Sequence, residues 1–239
     1  VCDRKWCDVV VCSGSFYSDY YRRQADRDRR YVVLGNPSMD RYSASKARKI
    51  KTLKKVMFLT FEDGFYGRLD RFAYQEKYYS ELLPIFAELL KLDIEIYFKP
   101  HPSQEKEYFK YLFDYFNIDM AKIHYVDNAP FHEIVRDMDL VISNVSSCFY
   151  EAQAAGVPSI FFEPEIVPGA LLLPLSKTDA DRVPLVSKGE ELLNIIRENQ
   201  ADPACLNAHL DEFLRKHSER YIGKLDGMSG KRIVEFLCS

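Results

Sequence analysis

Lys99-Pro100-His101-Pro102-Ser103 holds an imidazole between two prolines, directly behind the apolar run DIEIYFK at 93–99. Each proline fixes its own φ, so the backbone that presents His101 is stiff before any ligand arrives. An imidazole held this way can donate a hydrogen bond to a phosphate oxygen as charge builds on a leaving group. His101 is therefore expected to bind phosphate and to act catalytically. Alternation along the preceding strand predicts that Lys99 points the other way. A second constellation is Ser143-Asn144-Val145-Ser146-Ser147, followed by the helical stretch CFYEAQAAG. Ser146 or Ser147 suits the N-cap of that helix, whose first amides and dipole favour an anion. Ser143, Ser146 and Ser147 are thus expected around phosphate. Glu151 shares a helix face with Ser147 and could accept hydrogen bonds from ribose hydroxyls. The same residues also make an ordinary helix cap, and only their pairing with the His101 loop favours a ligand. A third group is Phe61-Glu62-Asp63-Gly64-Phe65-Tyr66-Gly67-Arg68. Glu62 or Asp63 could serve as a general base and Arg68 could neutralise a diphosphate, although Gly and Asp also make plain turns. Glu163 and Glu165 are weaker candidates. Among the other histidines, His132 could lie beside a nucleotide base, His124 sits within a strand, and His209 and His217 read as surface residues.

These groups need a frame that brings them together, and the hydrophobic pattern supplies one. Short apolar runs at 8–13, 31–35, 56–61, 93–100, 122–126, 139–143, 159–162 and 171–175 read as strands. Amphipathic stretches at 15–24, 74–91, 104–117, 130–137, 146–155, 189–199, 203–217 and 228–238 read as helices, with Pro84 as a possible kink. Strands alternating with helices predict an α/β fold, a doubly wound parallel sheet of Rossmann-like type. In such sheets ligands lie beyond the carboxyl ends of the strands, where each candidate group falls. The first 43 residues read as the tail of a preceding α/β domain, 44–55 as a linker, and 56–239 as the complete domain. Lys46, Arg48, Lys49, Lys51, Lys54 and Lys55 make the linker basic, which suits a solvated segment more readily than a phosphate patch. With no initiating Met, the chain is expected to be a fragment.

Bulk properties narrow the function classes. A net charge of −3 and a pI near 6.0 argue against a chain devoted to nucleic acid. The six cysteines lack ligand spacing, so neither a zinc site nor a disulfide framework is expected, and no metal is assigned. No apolar run reaches the roughly 18 residues of a membrane span. The 14% aromatic content suits stacking on sugars or bases, but packing accounts for it equally well.

Taken together, these residues resemble the GT-B group that includes the CDP-glycerol glycerophosphotransferases, bacterial polysialyltransferases and capsule Kdo transferases. Gly35-Asn36-Pro37 with Asp40 is similar to a GxPxxD segment at the domain crossover, with Ser38 where an arginine is common. Lys99-Pro100-His101-Pro102 resembles the HP motif, Ser143 to Ser147 the serine motif, and Leu225-Asp226-Gly227 with Arg232 the C-terminal DG segment. Glu62-Asp63-Gly64 is similar to the acidic-Gly motif of bacterial sialyltransferases, which there belongs to the other domain. Glu151-Ala152 through Gly156-Val157-Pro158 also looks like the EAxxxGxP of UDP-GlcNAc 2-epimerases.

The resemblance implies a C-terminal, donor-binding half, with residues 1–43 as the end of an acceptor-side domain and 56–239 binding the nucleotide donor. It implies phosphate contacts from His101, Ser146 and Ser147. The expected activity is transfer of a sugar or polyol phosphate from a CMP- or CDP-linked donor, with UDP possible, to a capsule, teichoic acid or lipopolysaccharide-type glycan. No separate cofactor is expected. Alternatives are a UDP-GlcNAc 2-epimerase-like enzyme and a non-catalytic binding module. A cytoplasmic location is expected, at the inner membrane face if another region supplies the attachment. The fragment alone is expected to bind donor and catalyse little.

Overall fold

The structure is a computed structural model that describes residues 8–24, 29–43, 45, 47–60, 71–127, 129–144, 146–164 and 184–239. In chain order it begins with β1 (Val9–Cys12), α1 (Ser15–Gln24) and β2 (Arg30–Val33), then a 3₁₀ turn at Pro37–Tyr42. Next come β3 (Lys55–Leu59), α2 (Arg71–Leu89), β4 (Glu95–Lys99), α3 (Lys106–Tyr115), β5 (Ile123–Tyr125) and α4 (Phe131–Ile134). β6 (Leu140–Ser143), α5 (Ser147–Ala154), β7 (Ser159–Phe162), β8 (Leu185–Val186), α6 (Gly189–Ala201) and α7 (Ala204–Glu212) follow. A π-helical turn, α8 (Ser218–Tyr221) and α9 (Ser229–Leu237) complete the chain.

Residues 47–211 make one unit, built among the described residues on a six-stranded sheet of order β5-β4-β3-β6-β7-β8 with parallel pairings. The order runs outward from β3 to β5, then returns to the other side of β3 and continues to β8. The reversal therefore falls between β3 and β6. A parallel sheet must be covered on both faces, and the side-chain alternation shows how. Val56, Phe58, Ile96, Phe98, Leu140, Ile142, Ile160 and Phe162 share one core with side chains of α2, α3 and α6. Each fully buried aliphatic or aromatic side chain there contributes about 1.5–3 kcal/mol of transfer free energy. On the opposite face Phe149 of α5 stacks on Phe161 of β7, with centroids 3.8 Å apart and planes at 12°. α5 ends in a left-handed turn: Gly156 has φ of 84°, and Val157 donates to the Ala152 carbonyl at 2.9 Å. A side chain at 156 would be strained there, which explains the glycine.

Residues 1–46 and 212–239 form the other unit. β1 and β2 pair in parallel, Val9 opposite Arg30 and Cys12 opposite Val33. Asp40 caps α9: its carboxylate accepts the amides of Ser229 at 3.0 Å and Gly230 at 2.9 Å. Arg232 bonds Asp226 at 2.9 and 2.7 Å and the Leu34 carbonyl at 3.0 Å. The GxPxxD-like and DG-like segments thus meet each other, as a clasp within this unit. Burial works against the charge of Asp40, but the two amides, the Ser229 hydroxyl and Arg232 hold its carboxyl below the ordinary range.

These units depart from the expected boundaries. The segment from 212 onward clusters with the first 46 residues, not with the sheet at 56–211, because the Asp40 and Arg232 clasp ties it there. Residues 47–55 are likewise no free linker: Ile50 and Leu53 are buried in the sheet unit and Lys55 already belongs to β3. The long helix expected at 203–217 is present and runs on through α8, with a π-helical stretch at Phe213–His217 within it. Pro84 lies inside a continuous α2 with its ring exposed. The strand expected at 171–175 lies outside the described residues, whereas β8 gave no periodic signal because two residues are too few to show one.

Candidate functional site

The candidate site is built on the ends of β3, β4 and β6, at the carboxyl edge. β3 pairs with β4 on one side and β6 on the other, so the loops after β4 and β6 flank its end. With strands about 4.8 Å apart, those two loops start about 10 Å from each other. That crevice is the point where the strand order reverses, the usual place for a ligand in a doubly wound sheet.

His101 is fixed from several directions. Its amide donates to Thr60 Oγ1 at 2.7 Å, and Thr60 is buried at the end of β3. The Thr60 hydroxyl in turn meets Gln104 Oε1, and Gln104 Nε2 reaches Tyr79 Oη of α2 at 3.4 Å. The Ser103 amide donates to His101 Nδ1 at 3.2 Å, with Ser103 Oγ 2.7 Å from the same nitrogen. An amide can only donate, so a neutral ring accepts at Nδ1 and carries its proton on Nε2. Nε2 is then the donor left for a ligand.

Across β3, Ser146 caps α5: it has extended dihedrals and its side chain accepts from the Cys148 amide at 3.2 Å. Of the two serines expected as caps, Ser146 fills the role and Ser147 is the first helical residue, exposed. Ser143 ends β6, fully buried, and its hydroxyl has no hydrogen-bond partner among the described residues. A buried hydroxyl left unsatisfied costs about 1–3 kcal/mol. Glu151 stands one turn along α5, half-buried, and its charge acts on Cys148. Burial pushes the Cys148 thiol up, which keeps it neutral at ordinary pH.

Lys99 is the residue that sequence alternation undervalued. Lys99 pairs with Leu59, and Phe58 with Ile142, so Lys99, Leu59 and Ser143 fall in one row across the sheet on the face that α5 covers. Burial lowers the Lys99 pKa, and its charge interacts with Cys148 at the start of α5 and with Asp127 beyond β5. Residues 99 and 101 are two apart, so alternation in fact puts Lys99 on the His101 side, and that is the side of the serine helix. The signal was in the sequence, since Lys99 and Ser143 are each the last residue of their strand.

Glu62, Asp63 and Arg68 lie outside the described residues, as does Glu165. Glu163 follows β7, where its amide donates to the Val186 carbonyl at 2.9 Å. His132 is exposed on α4, 3.9 Å from Glu133. His124 stacks on Tyr97 with centroids 4.5 Å apart and lies 3.8 Å from Glu95. His209 is exposed and His217 half-buried in the π turn. No group of three or more metal-ligating side chains occurs among the described residues. No helix among them is long and apolar enough to cross a membrane.

No protein-family model and no sequence of a characterised protein matches the chain. Solved structures do. The Methanocaldococcus jannaschii UDP-GlcNAc 2-epimerase, in complex with UDP-GlcNAc and UDP, superposes with a TM-score of 0.59 at 17% identity, over 97% of this chain and 61% of that one. The wall teichoic acid polymerase TagF gives 0.52 at 16%, over 96% and 59%. Staphylococcus aureus MnaA bound to UDP gives 0.61 at 12%, over 97% and 60%. The chain thus spans about three fifths of the length of each of these proteins. At such identities the likeness is one of architecture, and the fold of this chain is the GT-B type.

Proposed function

We propose that this chain is the donor-binding part of a transferase that moves a sugar or polyol phosphate from a CMP- or CDP-activated donor to a cell-surface glycan. The observation that carries this reading is the shared carboxyl edge. His101 and the capped start of α5 flank the end of β3 at the reversal of strand order. In this reading the donor phosphate accepts from His101 Nε2 and from the Ser147 amide at the start of α5, with the Ser143 hydroxyl and the Lys99 ammonium beside it. Glu151 takes ribose hydroxyls. The imidazole stabilises the phosphate as it leaves, which requires a donor already aimed at the developing charge. Glu62 or Asp63 is assigned as the general base and Arg68 as the partner of the diphosphate. The glycan acceptor class, and action at the inner face of the membrane through another region, belong to the same proposal.

The fold likeness to TagF supports the polyol-phosphate version. The comparable likeness to the UDP-GlcNAc 2-epimerase supports a second reading, a sugar-nucleotide enzyme that needs no acceptor. Calorimetric titration with CMP, CDP and UDP tests both. Binding of CMP or CDP supports the transferase, a clear preference for UDP favours the epimerase, and failure of all three removes the donor site. In the longer protein, His101→Ala separates an enzyme from a binding module: loss of turnover supports the catalytic role, and full activity excludes it.

A further inference from the structure

The basic segment that reads as a linker is instead a fixed strap across the amino edge of the sheet, the edge opposite the candidate site. The Arg48 amide donates to the Gly156 carbonyl at 3.2 Å, and the Leu53 amide to the Gln200 carbonyl at 3.0 Å. Ile50 exchanges two hydrogen bonds with the Asn207 side chain, at 3.0 and 2.9 Å. Asp139, buried just ahead of β6, accepts the amides of Lys54 and Lys55 at 3.0 and 2.9 Å and the Arg48 guanidinium at 2.8 Å. Ile50 and Leu53 turn inward and are buried. A strap held at this many points has a fixed backbone from which its remaining side chains project.

They project around a cavity of about 550 Å³, within the size range of small-molecule sites. Lys49, Lys51, Thr52, Lys55 and Asp137 line it, together with the Arg48–Asp139 clasp and Lys54. Arg48 and Lys54 are occupied by Asp139 and Asp93, at 2.8 and 2.9 Å. Lys49, Lys51 and Lys55 have no ion pair among the described residues. Three lysines without an ion pair, with one carboxylate beside them, give the concavity a positive potential that an anion would neutralise. One carboxylate is too little charge for three cations, whereas clustered phosphates bring several charges and many acceptor oxygens. We propose that this cavity binds a ligand carrying two or more phosphate groups, at a site separate from the carboxyl edge and independent of the donor-site reading.

The probe is pyrophosphate, titrated calorimetrically at low ionic strength, where screening is weakest. Pyrophosphate also suits the carboxyl edge, so the titration is run in the His101→Ala protein as well. The expected result is a binding event that persists in His101→Ala and weakens about tenfold or more in Lys49→Gln/Lys51→Gln/Lys55→Gln. Asp137→Asn removes the competing carboxylate and is expected to tighten binding about twofold. That second variant reads the same site if the triple variant fails to fold. Sedimentation with vesicles containing phosphatidylinositol bisphosphate distinguishes the source: capture lost in the triple variant assigns lipid headgroups, and binding of pyrophosphate alone assigns a soluble ligand. If neither probe binds, or if the triple variant binds both as the parent does, the proposal is overturned.

Discussion

At the scale of single residues, the site depends on groups that never touch a ligand. Thr60 receives the His101 amide and meets Gln104, so its hydroxyl sets where the imidazole stands. Thr60→Val keeps the shape and leaves that amide only the longer bond to Gln104 Oε1, at 3.3 Å. The expected loss is about 1–2 kcal/mol of stability, measured by urea unfolding, together with weaker nucleotide binding in calorimetry. Equal affinity in the variant would show that the anchor does not position the ring. Lys99 gives a prediction with a sign. Burial depresses its pKa, so the ammonium loses its charge at a lower pH than an ordinary lysine does. An anion held partly by Lys99 is therefore released as pH rises through that lowered value, and Lys99→Met should bind more weakly and lose this alkaline limb. A pH series of nucleotide titrations on both proteins checks it. Lys99→Met retaining the limb would assign it elsewhere.

At the scale of elements, α5 is the piece on which the anion reading rests. Its two ends are fixed by local chemistry, Ser146 at the start and Gly156 at the finish. Ser146→Ala removes the acceptor for the Cys148 amide and is expected to cost about 1 kcal/mol. Gly156→Ala forces a Cβ into a left-handed turn and is expected to cost about 1–2 kcal/mol. Both are read from denaturation midpoints. If the start of α5 binds phosphate, only Ser146→Ala should also weaken nucleotide binding, because Gly156 lies at the other end of the helix. The serine motif was legible as a cap before any coordinates, since a short polar residue ahead of a helical run has few other uses. The choice between Ser146 and Ser147 was not, because it turns on dihedrals that sequence does not specify. Lys99 was missed because a period of two places residues 99 and 101 on the same side of the strand, not on opposite sides.

At the scale of the whole molecule, the last segment closes back onto the first. Asp40 carries the junction within that unit, through the two amides at the start of α9. Its folded pKa is held below the unfolded value near 3.8. The stabilisation it gives is therefore present above that value and is lost as pH falls through the depressed folded pKa. Acid unfolding followed by α9 amide exchange should show this unit loosening in that window, and Asp40→Asn should flatten the dependence. An unchanged acid limb in the variant would remove Asp40 as its source. By itself the sequence determined the alternation of strands and helices, the parallel sheet, and the placement of polar groups behind strand ends. These follow from periodicity and turn chemistry, which act over a few residues. Only the tertiary structure decided that 212–239 belongs with the first 46 residues and that 47–55 is pinned to the sheet unit. Each depends on a partner distant in the chain, such as Asn207 for Ile50 or Ser229 for Asp40, and local pattern carries no record of which distant residue will arrive.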